Sequence, residues 1–208
     1  YLHPTRLSGD IGQTGVVGDN SRILLQVGDP IEAPVTLATV IDGLLFSDAN
    51  QNLPRWDAAL NLVGASPLVR NCRFENNRGY LGGAVTFNNS DAILFNCLFT
   101  GNIARNGGGA VYLRSGAGQV VNCSVVGNEG GAFNGGGGIL GDSSFTGQIV
   151  NTILWSNTDT RVTNVGPSSR EQMQVRGTTL VSHSIVQGLD SLTGFNNQGN
   201  DPLFLDLS

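Results

Sequence analysis

The sequence contains no lysine and few charged residues of any kind. Charged residues make up 13% of the 208 residues; the eleven basic ones are all arginine, and sixteen acidic ones bring the net charge to −5. A negatively charged chain with scattered arginines lacks the basic surface that nucleic acids and anionic membranes attract. We therefore expect no nucleic-acid partner. No apolar run reaches 18 residues, so we also expect no membrane insertion by this segment.

Cysteine and histidine are scarce as well. The three cysteines, Cys72, Cys97 and Cys123, each directly follow an asparagine, so they occupy one repeated position and do not suggest a disulfide framework. We interpret them as small buried residues. The alternative is that one neighbouring pair is oxidised. No histidine recurs beside them and their spacing is not that of zinc ligands, so the sequence predicts no metal site there.

The clearest positive pattern is a set of asparagine pairs. Within each pair the two residues are six apart, and successive pairs are 25, 26 and 29 residues apart. The four pairs are Asn71/Asn77, Asn96/Asn102, Asn122/Asn128 and Asn151/Asn157. A double series at a nearly constant period identifies a tandem repeat.

Alignment of the repeats on these asparagines sorts the apolar residues into three columns. The columns hold Val69, Leu94, Val120 and Ile149; Cys72, Cys97, Cys123 and Thr152; and Phe74, Phe99, Val125 and Leu154. Strand alternation is broken once, at the first asparagine of each pair, which predicts a bend with a left-handed backbone there. We interpret the asparagines as architecture, with their amides bonded from coil to coil, and not as ligands.

Glycine runs precede another strand in each period, so a period contains a glycine-rich bend, two strands, the asparagine bend and a third strand. This order predicts an all-β fold, a right-handed parallel β-helix with three strands per coil and about six to eight coils of 25–31 residues. We expect one domain over residues 1–208, with clear repeats in 40–188, irregular upstream coils in 1–39 and a terminal segment in 189–208. Because the chain begins at Tyr1 without an initiator methionine, we expect it to be a piece of a longer polypeptide.

Fainter copies of the repeat flank the clear ones. Upstream, Asp42 and Asp48 occupy the two asparagine positions of the alignment. Downstream, Ser182 and Gly188 occupy them, which places His183 in the cysteine column and predicts a buried core histidine.

The repeat strings resemble those of a known group of proteins. The strings NCRFENN, NCLFTGN, NCSVVGN and NTILWSN, with GGGAVYL, the terminal DPLFLD and the opening LSGDIG…GDNS, are similar to bacterial secreted pectate-lyase-like β-helix repeat proteins of the surface-anchored type. This resemblance implies the β-helix fold and an extracellular or cell-surface location. For lyase activity it also implies clustered carboxylates that bind Ca²⁺ beside an arginine base.

Catalytic candidates are weak in comparison. The central coils supply only single acidic residues in different columns, namely Glu75, Asp91, Glu129 and Asp142. A glycoside hydrolase needs at least two carboxylates close together. We therefore favour a protein without catalysis, and we interpret Arg114 and Asp142 as a stacked surface ion pair.

Two features are candidates for binding. Trp155 and Ile153 both face outward by strand alternation, and such an exposed apolar patch predicts a contact with a carbohydrate or a protein. The alternative is that the insertion at 158–170 folds over this patch. Asp10, Asp19 and Asn20 form a Gly-Asp-Asn cluster that predicts either a small Ca²⁺ loop or an ordinary turn.

Two functions fit these observations. The first is an extracellular or cell-surface β-helix segment that acts, without catalysis or cofactor, as a structural stalk or as an adhesive or self-assembling rod. The alternative is a β-helix protein that binds or degrades polysaccharide. Possible partners are a second copy of the chain or a surface polysaccharide.

Overall fold

Short parallel strands form a solenoid. The computed structural model describes residues 5–10, 21, 23–28, 35–50, 58–131, 136–160, 174–177, 179–189 and 194–203. The strands of these residues are, in chain order, β1 (Thr5–Ser8), β2 (Leu25–Val27), β3 (Val40–Asp42), β4 (Leu44–Ser47), β5 (Leu60–Val63), β6 (Leu68–Arg70), β7 (Arg73–Glu75), β8 (Arg78–Gly79), β9 (Val85–Asn88), β10 (Ile93–Phe95), β11 (Leu98–Thr100), β12 (Ile103–Ala104), β13 (Val111–Gly116), β14 (Gln119–Val121), β15 (Ser124–Val126), β16 (Glu129–Gly130), β17 (Ile139–Phe145), β18 (Gln148–Val150), β19 (Ile153–Trp155), β20 (Thr158–Asp159), β21 (Val175–Arg176), β22 (Leu180–Ser182) and β23 (Ile185–Val186).

Each strand pairs in parallel with its counterpart one coil away, which makes four sheets. In the order in which a coil visits them, we name them sheet A (β3-β6-β10-β14-β18-β22), sheet B (β1-β4-β7-β11-β15-β19-β23), sheet C (β8-β12-β16-β20) and sheet D (β2-β5-β9-β13-β17-β21). The all-β parallel solenoid is thus confirmed. Among the described residues, four coils contribute to every sheet and partial coils extend the array at both ends, so these complete coils are fewer than the six to eight expected. The short strands of sheet C are a fourth element that the sequence did not predict.

The three predicted apolar columns point inward and form the core. All four members of the phenylalanine column, like those of the valine column, are fully buried. The rings of Phe46, Phe74 and Phe99 stack along the axis, with centroids 4.7 and 4.8 Å apart and planes within 9° of each other. These stacked rings stabilise the packing of neighbouring coils on each other.

The first asparagine of each pair forms the predicted bend. Asn71, Asn96, Asn122 and Asn151 have φ between 50° and 55°, the left-handed region that asparagine tolerates better than other residues with a side chain. Their amides are exposed and link neighbouring coils, since the Nδ2 atom of Asn96 donates to Asn71 Oδ1 and that of Asn151 to Asn122 Oδ1, both at 2.7 Å. This column turns the chain from sheet A into sheet B.

The second asparagine of each pair forms a buried ladder. Asn77, Asn102, Asn128 and Asn157 are at most 1% exposed. The Nδ2 atom of each of the first three donates to the Oδ1 atom of the next asparagine, at 3.0, 2.9 and 2.9 Å along the series. The backbone N–H of each of these three donates to the same Oδ1 atom, at 2.9–3.1 Å. The amides therefore satisfy backbone groups inside the solenoid, and the interpretation of the asparagine ladder as architecture is confirmed.

The cysteine column forms a third ladder. The backbone N–H of Cys97 donates to Cys123 Sγ (3.5 Å), that of Cys123 to Thr152 Oγ1 (3.3 Å), and that of Thr152 to Ser184 Oγ (3.1 Å). The thiol or hydroxyl also donates to the carbonyl two residues earlier, as from Cys123 to Val121 (3.2 Å). The cysteines are free and buried as predicted. Like Thr152 and Ser184, they also donate a hydrogen bond across the bend to the carbonyl two residues earlier.

Contacts within this column shift the acidity of the thiols. The hydrogen bond with Cys97, together with burial, raises the pKa of Cys72, and the hydrogen bond with Cys123 raises the pKa of Cys97 to about 12. The hydrogen bond from Cys97 lowers the pKa of Cys123. The thiols of Cys72 and Cys97 therefore stay protonated at neutral pH and act as hydrogen-bond donors.

The predicted register is wrong by one residue in both end coils. Upstream, Gly43 (φ 69°) occupies the first asparagine position and Ala49 the second, because Asp42 pairs with Arg70 and Asn50 with Arg78. Downstream, His183 (φ 51°) occupies the first asparagine position. His183 is therefore exposed and not a core residue, and Ser184 fills the cysteine column.

The glycine runs allow backbones to approach closely outside sheet D. A Cβ atom on Gly83 would lie 1.9 Å from the carbonyl oxygen of Gly109, and one on Gly109 would lie 2.0 Å from that of Gly137. Only glycine fits at such a distance. The runs consequently stack on each other from coil to coil, and the outward side chains of Thr86 and Tyr112 on sheet D are buried.

Candidate functional site

The predicted binding residues Trp155 and Ile153 lie on the outer face of β19 in sheet B. Both are half-buried; Ile153 is aligned with Ser124 and Ile185, and Trp155 with Val126. Among the described residues, those aligned with them on the neighbouring strands of sheet B carry no charge. Residues 161–173, which include most of the insertion expected to cover the patch, lie outside the described residues.

Ile153 lines a groove of about 270 Å³ along the first asparagine bend. One wall holds the exposed side chains of Asn122, Asn151 and His183, and the other holds Ser124, Ile153 and Ile185; Cys123 and Thr152 form the floor. We call this the bend groove. It combines polar amides with an aliphatic wall, an arrangement that suits an extended, uncharged ligand. Trp155 is not among its lining residues.

A shortened coil extends the solenoid beyond the groove. Asn196 has φ 58° and lies above His183, with its Nδ2 atom 3.0 Å from His183 Nε2. Asn197 continues the thiol and hydroxyl ladder, since its Oδ1 atom accepts from the backbone N–H of Ser184 at 3.1 Å. The ring of Phe195 meets the His183 ring edge-on, with centroids 5.1 Å apart.

This coil was not predicted because Asn196 follows His183 by 13 residues and not by 25 or more. The one available signal was the Asn196-Asn197 dipeptide. In this dipeptide Asn196 is the left-handed bend residue and Asn197 is the polar residue that follows it in the ladder. No second asparagine follows six residues later, as it does in the four pairs.

A second cleft lies on the outer face of sheet D. Its volume is about 250 Å³, and Tyr112, Leu140, Asp142, Ser143 and Arg176 line it with Gly141 and Gly177. The hydroxyl of Tyr112 donates to a carboxylate oxygen of Asp142 at 3.1 Å. Burial and the negative charge of Asp142 raise the pKa of Tyr112 to about 12, so the phenol remains protonated at neutral pH. We call this the tyrosine cleft.

The two residues expected to form a surface ion pair have other contacts beside this cleft. Arg114 donates to Asn88 Oδ1 at 3.1 Å, while Asp142 accepts from Tyr112 and from the backbone N–H of Ser143. A β-bulge separates them, because β17 holds one residue more than β13 between Leu113 and Ser115.

A third groove, of about 310 Å³, crosses the outer face of sheet C. It carries Arg78, Arg105 and Glu129 beside Ile103 and Thr160. Its mixed charge distinguishes it from the bend groove, whose lining holds no acidic residue, lysine or arginine among the residues that the structure describes.

No metal site emerges among the described residues, where no three His, Cys, Asp or Glu side chains come together. Of the predicted Ca²⁺ loop, Asp10 is described, whereas Asp19 and Asn20 lie outside the described residues, so the loop stays a prediction. In the same part of the chain, no helix has the length and apolar character of a membrane span.

Comparison with known proteins supports the fold. The family model described as a right handed beta helix region matches residues 39–180, well over half of the chain. Comparisons with curated proteins and with solved structures give no match. The matched stretch contains all four complete coils, with their asparagine ladders and inward columns. The chain belongs to the family of right-handed β-helix regions.

Proposed function

We propose that this β-helix acts outside the cell or at the cell surface as a rigid structural rod without catalysis. The observation that carries the proposal is the continuity of its ladders. The buried asparagine ladder runs through every complete coil, and the thiol and hydroxyl ladder runs beside it. Each ladder bonds a coil to its neighbours in addition to the strand pairing, so coils resist independent opening.

The charge content and the repeat strings support the proposed location. Charged residues make up 13% of the chain, and the repeat strings resemble those of exported proteins. A rod of this kind stiffens a surface layer, or assembles with copies of itself through its ends or through the Trp155 face.

Four measurements test the rod. Small-angle scattering and thermal unfolding of the purified chain should give an elongated particle that unfolds in one cooperative transition, and sedimentation should show concentration-dependent association. The chain should release no product from neutral or acidic polysaccharides. Product release that disappears in Asp142→Asn would refute a non-catalytic role.

The tyrosine cleft supports a second candidate, which is binding or degradation of a polysaccharide. The protonated Tyr112 phenol and the Asp142 carboxylate sit together in a cleft large enough for part of a sugar. Because the single O–H of the phenol donates to Asp142, the pair offers acceptor oxygens to the hydroxyl groups of a sugar. Tyr112→Phe and Asp142→Asn should then abolish binding or turnover, whereas Glu129→Gln, in the groove on sheet C, should leave both unchanged.

A further inference from the structure

The outer face of sheet A carries an exposed apolar strip that runs along the solenoid axis. We infer that this strip binds a second copy of the chain, so that two rods associate side by side in antiparallel orientation. The inference rests on the proposed function as a self-associating rod, and it names a face other than the Trp155 face or the ends. The composition, the charge and the dimensions of the strip lead to this partner.

The strip consists of two columns of outward side chains, because the middle residue of each strand in sheet A points inward and its two neighbours point outward. The apolar members are Val40, Leu68 and Ile93 in the first column and Phe95, Val121 and Val150 in the second. Leu180 ends the first column. Phe195 extends the second, since its carbonyl accepts from the backbone N–H of His183 as that of Phe95 accepts from Asn71. We call these two columns the apolar strip.

The exposed apolar side chains of the chain concentrate on this strip. Among the described residues, the most exposed large apolar side chains are Leu37, Val40, Phe95, Leu180, Phe195 and Leu203, and four of them belong to the strip. Phe95 is 39% exposed and Phe195 is 60% exposed. None of the six lies on a strand of sheets B, C or D. A contiguous apolar surface of this kind marks an interaction site.

The strip offers no counter-charge to a charged partner. Its two charged residues, Asp42 and Arg70, lie on adjacent strands at the N-terminal end and form an ion pair of 2.8 Å with each other. The other described members are apolar or uncharged, and they include Gln119 and Gln148 near the centre. The strip therefore selects neither a basic nor an acidic partner, and it does not repel a copy of itself.

The dimensions of the strip favour a second rod over a globular partner. Its side chains repeat about every 4.8 Å, so its seven coils span roughly 29 Å, and its two columns are about 7 Å apart. A stable interface needs about 800 Å² on each partner, which is well over twice the area of such a strip. A copy of the solenoid has the same repeat along its axis. Its side chains can therefore interdigitate with the strip over the whole length, as in two sheets packed about 10 Å apart.

The ion pair determines the orientation of the two rods. A two-fold axis along the rods exchanges the two columns, so it places Arg70 over Leu68 and Asp42 over Val40. Both charges would then lose water against apolar side chains. A two-fold axis across the rods keeps each column over itself and reverses the order of the coils. The Asp42–Arg70 pair then lies at the ends of the contact, where it stays hydrated, so the antiparallel arrangement is favoured.

The apolar members fix the register of the antiparallel pair. A two-fold axis at Val121 places this residue over its own copy, Phe95 over Val150 of the second copy, and Leu68 over Leu180. A shift by one coil removes the Leu68–Leu180 contact and sets Phe95 against a different strand. The register centred on Val121 therefore brings the most apolar surface together.

The repeat itself supplies substitutions that the fold accepts. Phe95→Arg reproduces Arg70, which is aligned with it one coil earlier, and it places a charge within the strip. Leu98→Arg makes the same kind of change on the outer face of sheet B, where Arg73 is aligned one coil earlier. The second variant is the matched control, because it adds the same charge in the same coil on another face.

The test is sedimentation equilibrium of the full chain at up to about 0.5 mM, since a contact of this size is weak. The wild-type chain should show a reversible equilibrium between monomer and dimer. Phe95→Arg should lower the association constant at least about tenfold, because a guanidinium without a partner replaces an apolar contact. Leu98→Arg should associate as the wild type does. Gln148→Leu, which reproduces Leu180 one coil later, should raise the constant about three- to tenfold.

Disulfide cross-linking tests the orientation. A mixture of Leu68→Cys and Leu180→Cys chains should form mixed dimers under mild oxidation, whereas each variant alone should stay unlinked. In the antiparallel pair the two copies of either residue lie four coils apart, or about 19 Å along the axis. Parallel rods would instead link each variant to itself. The three native cysteines are buried and do not compete.

Four results would overturn the inference. They are unchanged association of Phe95→Arg, an equal loss in Leu98→Arg, disulfides that form within one cysteine variant as fast as in the mixture, and a wild-type chain that stays monomeric. In the last case an elongated scattering profile would still support the proposed rod. Association that is lost in Trp155→Val and kept in Phe95→Arg would also overturn the inference, because the contact would then lie on the Trp155 face and the rod would still self-associate.

Thermal unfolding of each variant identifies a loss of association caused by misfolding. Val150→Ser provides a milder change within the strip, because it reproduces Ser182, which is aligned with it one coil later. It should lower the association constant about three- to tenfold, the loss expected for a small apolar contact. Association of Val150→Ser at the wild-type level would contradict the contact with Phe95 of the second copy.

Discussion

The side-chain amide of Gln174 ends the buried asparagine ladder at Asn157. Its Oε1 atom accepts from the backbone N–H of Asn157 at 3.2 Å and from its Nδ2 atom at 2.7 Å, the two bonds that the next asparagine accepts elsewhere in the ladder. The ladder is directional, since each member accepts from the coil before and donates to the coil after. The first position needs only a donor, so Ala49 can fill it: its backbone N–H donates to Asn77 Oδ1 at 3.1 Å. The last position must instead offer an acceptor from its side chain.

Replacement of Gln174 by leucine should destabilise the solenoid strongly. Gln174 is fully buried, so the change leaves two donors of Asn157 without their acceptor at a cost of about 1–3 kcal/mol each. We expect the free energy of unfolding to fall by about 2–4 kcal/mol in urea titrations. Gln148→Leu, on the outer face of sheet A, is the control and should change it by less than about 0.5 kcal/mol. Equal effects of the two substitutions would contradict the capping role.

The two asparagine columns should respond very differently to substitution. Asn102→Ala leaves the backbone N–H and one of the two Nδ2 N–H groups of Asn77 without an acceptor inside the core, while the other still donates to the carbonyl of Phe46. We therefore expect a loss of about 3–5 kcal/mol. Asn96→Gly keeps an exposed left-handed bend and should cost less than about 1 kcal/mol. Chemical denaturation of both variants measures the difference. A loss in Asn96→Gly as large as that in Asn102→Ala would show that the exposed column also carries the stability.

The thiols should be unreactive in the folded chain. Cys72, Cys97 and Cys123 are 1–3% exposed and donate to backbone carbonyls, which hinders attack on any reagent in solution. An aromatic disulfide reagent should therefore label none of them under native conditions and all three in denaturant. Labelling of only one thiol in denaturant, without prior reduction, would instead show that a neighbouring pair is oxidised.

The carboxyl group of Asp42 should titrate below its usual range. The hydrogen bond from Asn71 (2.8 Å) and the pairing with Arg70 lower its pKa in the folded state. A carboxyl with a lowered folded pKa contributes stability above its unfolded pKa, and this contribution disappears as the pH falls through the folded value. Carbon-detected NMR titration should show the pKa rising toward its usual range in Asn71→Gly. Asn96→Gly, which removes no contact to Asp42, should leave the pKa unchanged.

The regular part of the fold was predictable because each column selects a residue type. A left-handed bend favours asparagine, a buried ladder needs an amide, and the inward positions need apolar side chains, so Asn71, Asn77 and Phe74 recur with their chemistry intact. The bend groove was only partly predictable. Strand alternation placed Ile153 on the surface, but the wall opposite it depends on His183, which the alignment had placed in the core.

The end coils escaped prediction because the rules that select asparagine relax there. Gly43 forms the left-handed bend and the backbone N–H of Ala49 makes the first bond of the ladder, so neither position needs an asparagine. The alignment therefore matched the neighbouring aspartates, Asp42 and Asp48, and was wrong by one residue. Gln174 follows Asn157 by only 17 residues and Asn196 follows His183 by 13. No constant period could have connected either residue with the column that it completes.

The amino-acid order alone therefore establishes a β-helix, its inward columns and its bends, because these depend on backbone preferences and burial that repeat in every coil. The closure of the ladders by Gln174 and Asn197, the contact of Tyr112 with Asp142 and the walls of the bend groove emerge from the folded chain. They join residues from different coils, and their geometry depends on loop lengths, on the bulge in β17 and on the one-residue register of the end coils.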